Sequence, residues 1–491
     1  MTPLQLLQQL LPETILVVGA LLILGLSLMC RRSCSHGCSS GRSWLAAGTM
    51  LLAALAVCYQ DNSLGGVSGL LFSDPLARVF KCIVLGLGVL AAWLLPARGE
   101  MRNTGEFYAL LLFAVCGLVL AVGTRNLLML FVALELASLS LYLLVAFPRT
   151  IRTAEVSLKY FLFGGVSAAF MLFGLSLIHG ALHSVDLELI RMKLTTGPLP
   201  LLAMAGLVMV LVGLGFKLAA APFHYWAPDV YQGAPATVVA LISAASKVVG
   251  MVVLVRILVL GFGSAAGSAA WGGLTAGWSL WLALLAAVSI IFGNVLALAQ
   301  KSVRRLLAYS AVANTGYLLV GVCANGQASA GASLFYVVVY GLATLGALAV
   351  CASVERSRGD DLRTSFTGLV HRSPLQAVAL LICLASLAGI PPLAGFVGKF
   401  AVFSKALADN DKLVWLVILG AVMSAVSLYY YLGVLKEAFV RDGEATAPAE
   451  ALPLAHRMAI TVPALALLLL GLCPSLLLEP IALAVKTLIG N

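Results

Sequence analysis

Long apolar runs determine what this chain can fold into. The sequence contains roughly fourteen runs of about 20 mainly apolar residues, the length that an α-helix needs to cross a bilayer. Of its 491 residues, 62% are hydrophobic and only 10% are charged, whereas soluble domains carry about 25% charged residues. The sequence therefore predicts an all-α polytopic membrane protein with about 14 transmembrane helices and no separately folding soluble domain.

The runs place the predicted spans approximately, joined by mostly short loops. They lie near residues 13–30, 44–59, 77–97, 106–122, 126–147, 158–182, 200–221, 236–261, 274–299, 305–324, 332–354, 374–408, 413–437 and 458–478.

Basic residues are concentrated in the loops of one side. If the N-terminus lies outside, the inner loops and span ends hold most of the arginines, including Arg31, Arg32, Arg42, Arg304 and Arg305. Loops that stay in the cytoplasm carry an excess of Lys and Arg. The net charge of +10 is therefore a topology signal and not a nucleic-acid patch. It predicts an N-terminus outside the membrane and arginine-rich loops in the cytoplasm.

Four ionisable side chains are predicted to lie at membrane depth: Glu135, Lys217, Lys247 and Lys399. A charged side chain at the centre of a bilayer costs at least roughly 2.5–3.5 kcal/mol, and such residues usually belong to functional sites. Two of the lysines stand within one stretch, residues 213–250, on either side of a bend rich in Pro and Gly. We therefore expect this stretch to carry the function.

Glu135 is the expected partner of Lys217. Two charges about 7 Å apart attract each other by about 2.4 kcal/mol at an effective dielectric constant near 20. Desolvation favours the neutral form of a lysine and a nearby carboxylate favours its charged form. Movement of the glutamate can thus decide whether the lysine holds a proton, which is what a proton pump requires. The alternative is a static ion pair that fixes helix packing.

Two predicted spans contain proline breaks. Pro222 and Pro228 interrupt the seventh span, and Pro391 and Pro392 interrupt the twelfth, shortly before Lys399. Paired broken spans in corresponding positions are typical of transporters built on inverted repeats. The predicted units are an N-terminal three-helix segment at 1–105, a first five-helix repeat at 106–262, a second, inverted repeat at 263–440, and a C-terminal helix and tail at 441–491.

Other polar residues have weaker signals. Lys159 has Glu155 one turn before it, which also fits a surface pair. His224 lies in the first break and fits a structural histidine equally. Tyr309 and Asn314 suit a hydrated relay or helix packing. Cys30, Cys34 and Cys38 match no common metal pattern, and there is no nucleotide loop, haem or cluster ligand set. No redox chemistry is expected in this chain.

Seven stretches carry a resemblance to a known family: LLPETILVVGALLIL, FVALELASLSLYLLVAF, EVSLKYFLFG, GLGFKLAAAPFHYWAPDVYQGAPATV, SAASKVVG, RRLLAYSAVANTGYLLVG and AGIPPLAGFVGKF. They resemble the antiporter-like subunits of respiratory complex I over nearly the whole chain, and among these the subunit N family of bacterial NADH–quinone oxidoreductase. SAASKVVG contains Lys247 where the L and M families usually have a histidine motif. The M family usually has a glutamate where Lys399 stands, and the L family has a longer C-terminus.

The resemblance implies fourteen helices with two inverted repeats, and a proton channel in which Glu135 and Lys217 are coupled. Lys247 is then the central relay and Lys399 leads to the outer half-channel. Lys159, His224 and Tyr309 match family positions on the same axis, whereas Asn314 replaces a frequent histidine.

The resemblance also implies a translocase without cofactors of its own. Its partners would be other membrane-arm subunits, with M and K as neighbours, and a peripheral arm with flavin and iron–sulfur clusters that reduces quinone. Two alternatives remain at this point: a subunit of a sodium/proton antiporter or membrane-bound hydrogenase, and a scaffold that no longer conducts.

Overall fold

The computed structural model describes residues 9–29, 38–60, 71–94, 103–195, 197, 199–441 and 452–489. Its helices are α1 Leu11–Met29, α2 Cys38–Cys58, α3 Pro75–Ala92, α4 Thr104–Val122, α5 Leu127–Ala146, α6 Ile151–Leu182, α7 Leu187–Thr195, α8 Leu201–Leu218, α9 Trp226–Gly233, α10 Ala236–Gly261, α11 Trp278–Leu298, α12 Val303–Cys323, α13 Gln327–Arg358, α14 Leu369–Arg372, α15 Pro374–Ala388, α16 Ala394–Asp409, α17 Val414–Phe439, α18 Leu454–Leu472 and α19 Ser475–Ile489. Short 3₁₀ turns lie at Gly263–Ala265, Arg363–Phe366 and Asp411–Leu413, and a small hairpin pairs β1 Ser268–Ala270 with β2 Gly273–Thr275.

The predicted all-α membrane fold is confirmed. Among the described residues, 13 helices are long and apolar enough to cross a membrane. The remaining predicted span, 374–408, is divided between α15 and α16. Cys30 and Cys34 lie outside the described residues, and of Cys38 only the backbone is described. The inverted relation of the two five-helix units and the domain limits remain predictions.

Polar residues start several of the spans. The Asp74 carboxylate accepts a hydrogen bond from the backbone of Ala77 at the start of α3. Thr150 and Thr153 form a reciprocal capping box at the start of α6. Such side chains satisfy backbone N–H groups that have no partner within the helix. They set the helix starts without placing a charge deep in the membrane.

The two breaks follow the same backbone course. α8 ends at Leu218 and Ala219 has a φ of 56°; α15 ends at Ala388 and Gly389 has a φ of 87°. In each case the next amide bonds a carbonyl five residues earlier, as Ala220 N does with Gly215 O and Ile390 N with Ala385 O. This is a common way to close a helix with a left-handed residue. Each closure is followed by a cis proline, Pro222 or Pro392.

The centre of the molecule is formed by α10, α12 and α13. All of the most apolar window of α10, and 94% of those of α12 and α13, are buried within the chain. By contrast, α1, α6 and α17 bury only 33% of theirs. The peripheral helices therefore expose apolar faces that can contact lipid or another protein. The central helices are covered almost entirely by other helices of the chain.

Arg256 stands near the outer end of its span in the sequence, where we expect a long basic side chain to reach the surface, but it is buried instead. Its side chain is 0% exposed and makes two hydrogen bonds to Asp74, of 2.7 and 2.8 Å. Asp74 also pairs with Arg125 at 3.4 Å. The expectation of a surface-reaching arginine was wrong because a carboxylate 182 residues earlier supplies a partner inside the protein.

We expect Asp74→Asn to destabilise the fold by about 3–5 kcal/mol, because it leaves the Arg256 charge buried without a counter-ion. Burial raises the pKa of Asp74. The Arg256 and Arg125 guanidinium groups and the Ala77 amide together lower the pKa by more than burial raises it, so that the pKa lies below the ordinary value of an aspartate. A lowered folded-state pKa gives stability that is present above the unfolded value and is lost as pH falls through the folded value. Thermal unfolding of the purified protein between pH 3 and 7 measures both effects.

The matched control is Asp411→Asn, which removes an exposed carboxylate and should change the unfolding temperature little. Equal stability of Asp74→Asn and the native protein at pH 7 would contradict a stabilising role for this pair.

Candidate functional site

Lys217 lies in the last turn of α8, directly before the first break. Its ammonium donates hydrogen bonds to the Ser138 hydroxyl at 2.6 Å and to the Leu134 carbonyl at 3.2 Å, both on α5. Glu135 follows Leu134 and lines the same cavity as Lys217. The cavity has about 20 Å³ available to the centres of water molecules, and about 10–15 Å³ is enough for one water.

Glu135 and Lys217 do not form an ion pair in this structure. Both side chains lie within the described residues, and the ammonium is held by neutral oxygens. The alternative of a static ion pair therefore does not describe this state. In this structure the amine is bonded to Ser138. Glu135 stands about one helical turn from Ser138 on α5, and both residues line the water-sized cavity beside the amine.

Lys247 lies at the centre of the molecule. It follows a π-helical turn, Ile242–Ser246, within α10, and such turns are frequent at functional sites. Its residue is 2% exposed. The ammonium donates to the Ala311 carbonyl and the Thr315 hydroxyl, both at 2.8 Å, and lies 4.7 Å from the centroid of the Tyr340 ring.

The two lysines bind the same local arrangement on different helices. The Ser138 hydroxyl bonds Leu134 O at 2.7 Å, and the Thr315 hydroxyl lies 2.9 Å from Ala311 O. Each ammonium therefore meets a carbonyl together with the hydroxyl four residues later. α5 and α12 are the second helices of the two predicted five-helix units, but Lys217 and Lys247 both belong to the first unit, so the predicted repeat does not account for the likeness.

Thr315 connects the central lysine to the first break. Its hydroxyl lies 2.8 Å from Leu218 O, the last carbonyl of α8, and 2.8 Å from the Lys247 ammonium. A hydroxyl donates one hydrogen bond and accepts others. Thr315 can thus accept from Lys247 while it donates to Leu218, the neighbour of Lys217 in sequence.

Lys399 lies on α16, shortly after the second break. The residue is 5% exposed. Its ammonium donates to Leu387 O at 2.8 Å and Ala388 O at 3.2 Å, the carbonyls at the end of α15, and to the Ser424 hydroxyl at 2.9 Å. It lies 5.2 Å from the centroid of the Tyr317 ring. The break therefore frees carbonyls that hold a charge at membrane depth.

Hydroxyl and amide groups fill the space between Lys247 and Lys399. Asn314 donates to Ser310 O at 2.8 Å and accepts from the Tyr336 hydroxyl. The Ser310 hydroxyl is hydrogen-bonded to that of Tyr431. This part of the network starts one turn along α13 from Tyr340, the residue whose ring faces Lys247.

The network continues to the ring that faces Lys399. Tyr430 packs on Tyr431 with ring centroids 4.4 Å apart and donates to the Asn294 side chain at 3.1 Å. Asn294 donates to the Tyr317 hydroxyl at 2.9 Å. Two hydrogen-bonded sets therefore lie between the Tyr340 ring and the Tyr317 ring, joined by the Tyr430–Tyr431 ring contact. The Tyr340 hydroxyl itself has no hydrogen-bond partner among the described residues.

Lys217, Lys247 and Lys399 form no ion pair with a carboxylate within the part of the chain that the structure describes, unlike Lys81, which is buried against Glu13 at 2.6 Å. Their ligands are carbonyls, hydroxyls and aromatic faces. Such ligands stabilise an ammonium but do not fix its charge as a buried carboxylate would.

Lys159 lies at the arginine-rich side, in a cluster of charges. It pairs with Glu155 at 2.8 Å, the surface pair that the sequence allowed, and also with Asp229 of α9 at 3.1 Å. Asp229 in turn pairs with Arg305 at 3.1 Å. Lys159 is thus joined to the segment after the first break, but the cluster is partly exposed.

His224 and Tyr309 lie together at the first break. The His224 side chain is buried, its Nδ1 has no hydrogen-bond partner among the described residues, and its ring centroid is 6.3 Å from that of Tyr309. Tyr309 is half-buried. His224 belongs to the first predicted unit and Tyr309, on α12, to the second, and neither is hydrogen-bonded to the Lys217 ammonium.

Sequence reasoning missed most of the ligands. Ser138, Thr315, Ser424 and Asn294 carry no individual signal because small polar residues are ordinary in membrane helices. Their one detectable property is position: Ser138 and Thr315 lie on helices that the repeat hypothesis already paired.

Comparisons with known proteins identify the family. Residues 124–426 match the family described as "NADH:quinone oxidoreductase/Mrp antiporter, TM". The chain is 42% identical to "NADH-quinone oxidoreductase subunit N 2" of Acidobacterium capsulatum, over 97% of this chain and 98% of that one. The chain belongs to the subunit N family of NADH–quinone oxidoreductase.

Solved structures agree with this family membership. This member of the subunit N family superimposes on a chain of respiratory complex I from Thermus thermophilus with a TM-score of 0.78. The two chains are 34% identical, and the match covers 95% of this chain and 98% of that one. It also superimposes on a chain of the Mrp complex from Dietzia sp., with a TM-score of 0.84 and 21% identity, covering 99% and 98%. The second likeness is one of fold alone.

Proposed function

We propose that the chain translocates protons across the membrane as a subunit of NADH–quinone oxidoreductase, with redox chemistry in partner subunits. The observation that carries the proposal is the row of three lysines on membrane-spanning segments, Lys217, Lys247 and Lys399, whose ammonium groups meet only neutral ligands among the described residues. An ammonium held in this way can release its proton without leaving a carboxylate unpaired. Glu135 supplies the movable charge.

The order of the sites gives a path. Protons enter near the Lys159 cluster or His224, reach Lys217, pass to Lys247 through Thr315, and continue along the hydroxyl and amide network to Lys399. Asn314 acts by hydrogen bonding, since an amide does not titrate in this range. Waters in the cavity beside Glu135 complete the first step.

The proposed setting is the bacterial inner membrane, with the N-terminus outside and the arginine-rich side in the cytoplasm. Membrane-arm subunits, among them M and K, are the proposed neighbours. They connect this chain to a peripheral arm that holds flavin and iron–sulfur clusters and reduces quinone.

Co-purification tests the assembly. Affinity-tagged chain, extracted in mild detergent, should recover other polytopic subunits together with NADH-oxidising activity and protein-bound flavin. A proton-translocating subunit that contains no redox centre needs such a driver. Recovery with antiporter subunits alone, without flavin or NADH oxidation, would favour the alternative of a sodium/proton antiporter.

We expect Thr315→Val to lower NADH-driven proton pumping by roughly tenfold, about the effect of losing one hydrogen bond to a charged group. Valine keeps the shape but removes the hydroxyl between Lys247 and Leu218. Thr315→Ser should retain most pumping. The measurement is proton uptake by inverted membrane vesicles with equal amounts of assembled complex.

The control is Thr344→Val, a buried threonine whose hydroxyl has no hydrogen-bond partner among the described residues. Equal losses in both valine variants would indicate a packing effect and contradict a relay role for Thr315.

A further inference from the structure

A polar cavity on the arginine-rich side lies apart from the lysine row. It is formed where α13 ends and α15 begins, and its polar lining consists of Ser353, Arg356, Ser357, Arg372, Ser373 and Gln376. It offers about 30 Å³ to the centres of water molecules, which is more than the 10–15 Å³ that one water needs. Hydroxyl, guanidinium and amide groups are the donors that proteins use for phosphate.

The two charged residues of the cavity lining, Arg356 and Arg372, are both arginines. Among its described lining residues no side chain is a carboxylate. The pKa of Arg372 is lowered chiefly by burial and to a lesser extent by the guanidinium of Arg358, which lies outside the cavity lining. An arginine stays charged nonetheless, so the cavity favours an anion.

A helix N-terminus opens on the same space. α15 begins at Pro374, and the side chain of its N-cap residue, Ser373, makes no capping hydrogen bond. The first amides of a helix have no acceptor within it, and anions bind there readily. The Ser373 hydroxyl is thus available for a ligand and not used by the helix.

Gln376 supplies an independent sign of a ligand. The residue is 5% exposed and lines the cavity, yet its amide makes no hydrogen bond within the described residues. Arg372 shows the same incompleteness: its terminal nitrogen bonds the Ser365 and Thr367 carbonyls, but its buried Nε has no partner in the described part of the chain.

We propose that this cavity binds a phosphate ester with net negative charge. The apolar residues Leu369 and Leu452 complete its lining, as suits the phosphate of an anionic phospholipid at the membrane surface. A soluble phosphate ester has the same chemistry without acyl chains. The proposal does not depend on proton translocation.

Native mass spectrometry of the purified assembly tests the proposal. After delipidation, dioleoyl phosphatidylglycerol or dioleoyl phosphatidylcholine is added, and bound lipid is counted on native protein, Arg372→Gln and Gln376→Leu. We expect the native protein to retain phosphatidylglycerol, and each variant to bind it about tenfold more weakly, because each loses a hydrogen bond to an anion. Gln300→Leu, on a half-buried glutamine outside the cavity, is the matched control and should bind like the native protein.

A second arm separates the two sources. Glycerol 3-phosphate is added to the lipid-loaded assembly. Retention of the lipid supports a phospholipid site, and displacement supports a site for soluble phosphate esters. If Arg372→Gln fails to assemble, Ser373→Ala replaces it. Equal retention of phosphatidylglycerol by the native protein and the variants, or equal retention of phosphatidylglycerol and phosphatidylcholine, would overturn the proposal.

Discussion

Replacement of Lys247 by methionine is expected to reduce proton pumping by roughly 100-fold while the complex still assembles. Methionine is similar in length but cannot hold a proton. Without the lysine, a proton must pass the membrane centre as a charge that no side chain holds. Such a charge costs at least about 2.5–3.5 kcal/mol, and a barrier higher by that amount corresponds to the expected loss in rate. Assembly should survive because removal of a buried charge also removes its desolvation cost. Proton uptake by inverted vesicles measures the rate.

Lys301→Met, at an exposed position on the arginine-rich side, is the control and should pump normally. If Lys247→Met pumped at more than half of the native rate in equal amounts of complex, the path would not pass through the central lysine.

Replacement of Lys217 by arginine is expected to preserve assembly but to stop most pumping. Arginine keeps its charge in proteins because its pKa exceeds about 12, and it can still donate to Ser138 and Leu134. A relay residue must release its proton, which arginine does not do. Because electron transfer is coupled to translocation, quinone reduction should slow by tenfold or more, equal to a barrier about 1.4 kcal/mol higher.

Lys217→Ala distinguishes the two roles of the residue. If the lysine only anchored helices, arginine would substitute well and alanine would fail to assemble. If it relays protons, both variants should assemble and neither should pump. Lys405→Arg, at an exposed position, controls for the substitution itself.

The spans and the breaks could be predicted from the sequence because both depend on local properties. Apolar length decides whether a helix crosses a bilayer, and proline decides where it is interrupted. Lys399 was found for the same reason: a charge inside an apolar run is visible without knowledge of its neighbours. The starts and ends of most helices differ from the predicted limits by only a few residues.

The ligands of the lysines could not be predicted, because they depend on which helices pack together. Ser138 lies 79 residues before Lys217, and Thr315 lies 68 residues after Lys247. Nothing local separates these hydroxyls from others in membrane helices. The same limit explains Arg256, whose partner on another helix made it a buried residue.

The tyrosines illustrate a further limit. A run of tyrosines such as Tyr429–Tyr431 is typical of an interfacial belt, and Tyr429 is 73% exposed. Tyr430 and Tyr431, however, are fully buried and belong to the hydrogen-bond network. Three adjacent residues on a helix point in different directions, so a run of one residue type does not have one role.

Proton release by Lys217 is tested most directly in proteoliposomes that contain the complex with Lys217→Arg. The measured quantity is the number of protons moved per electron. The ratio is independent of how much complex is active, because both quantities come from the same molecules. We predict a ratio clearly below that of the native complex, together with slower quinone reduction. A native ratio at the native rate would show that Lys217 does not release its proton, and it would contradict the relay.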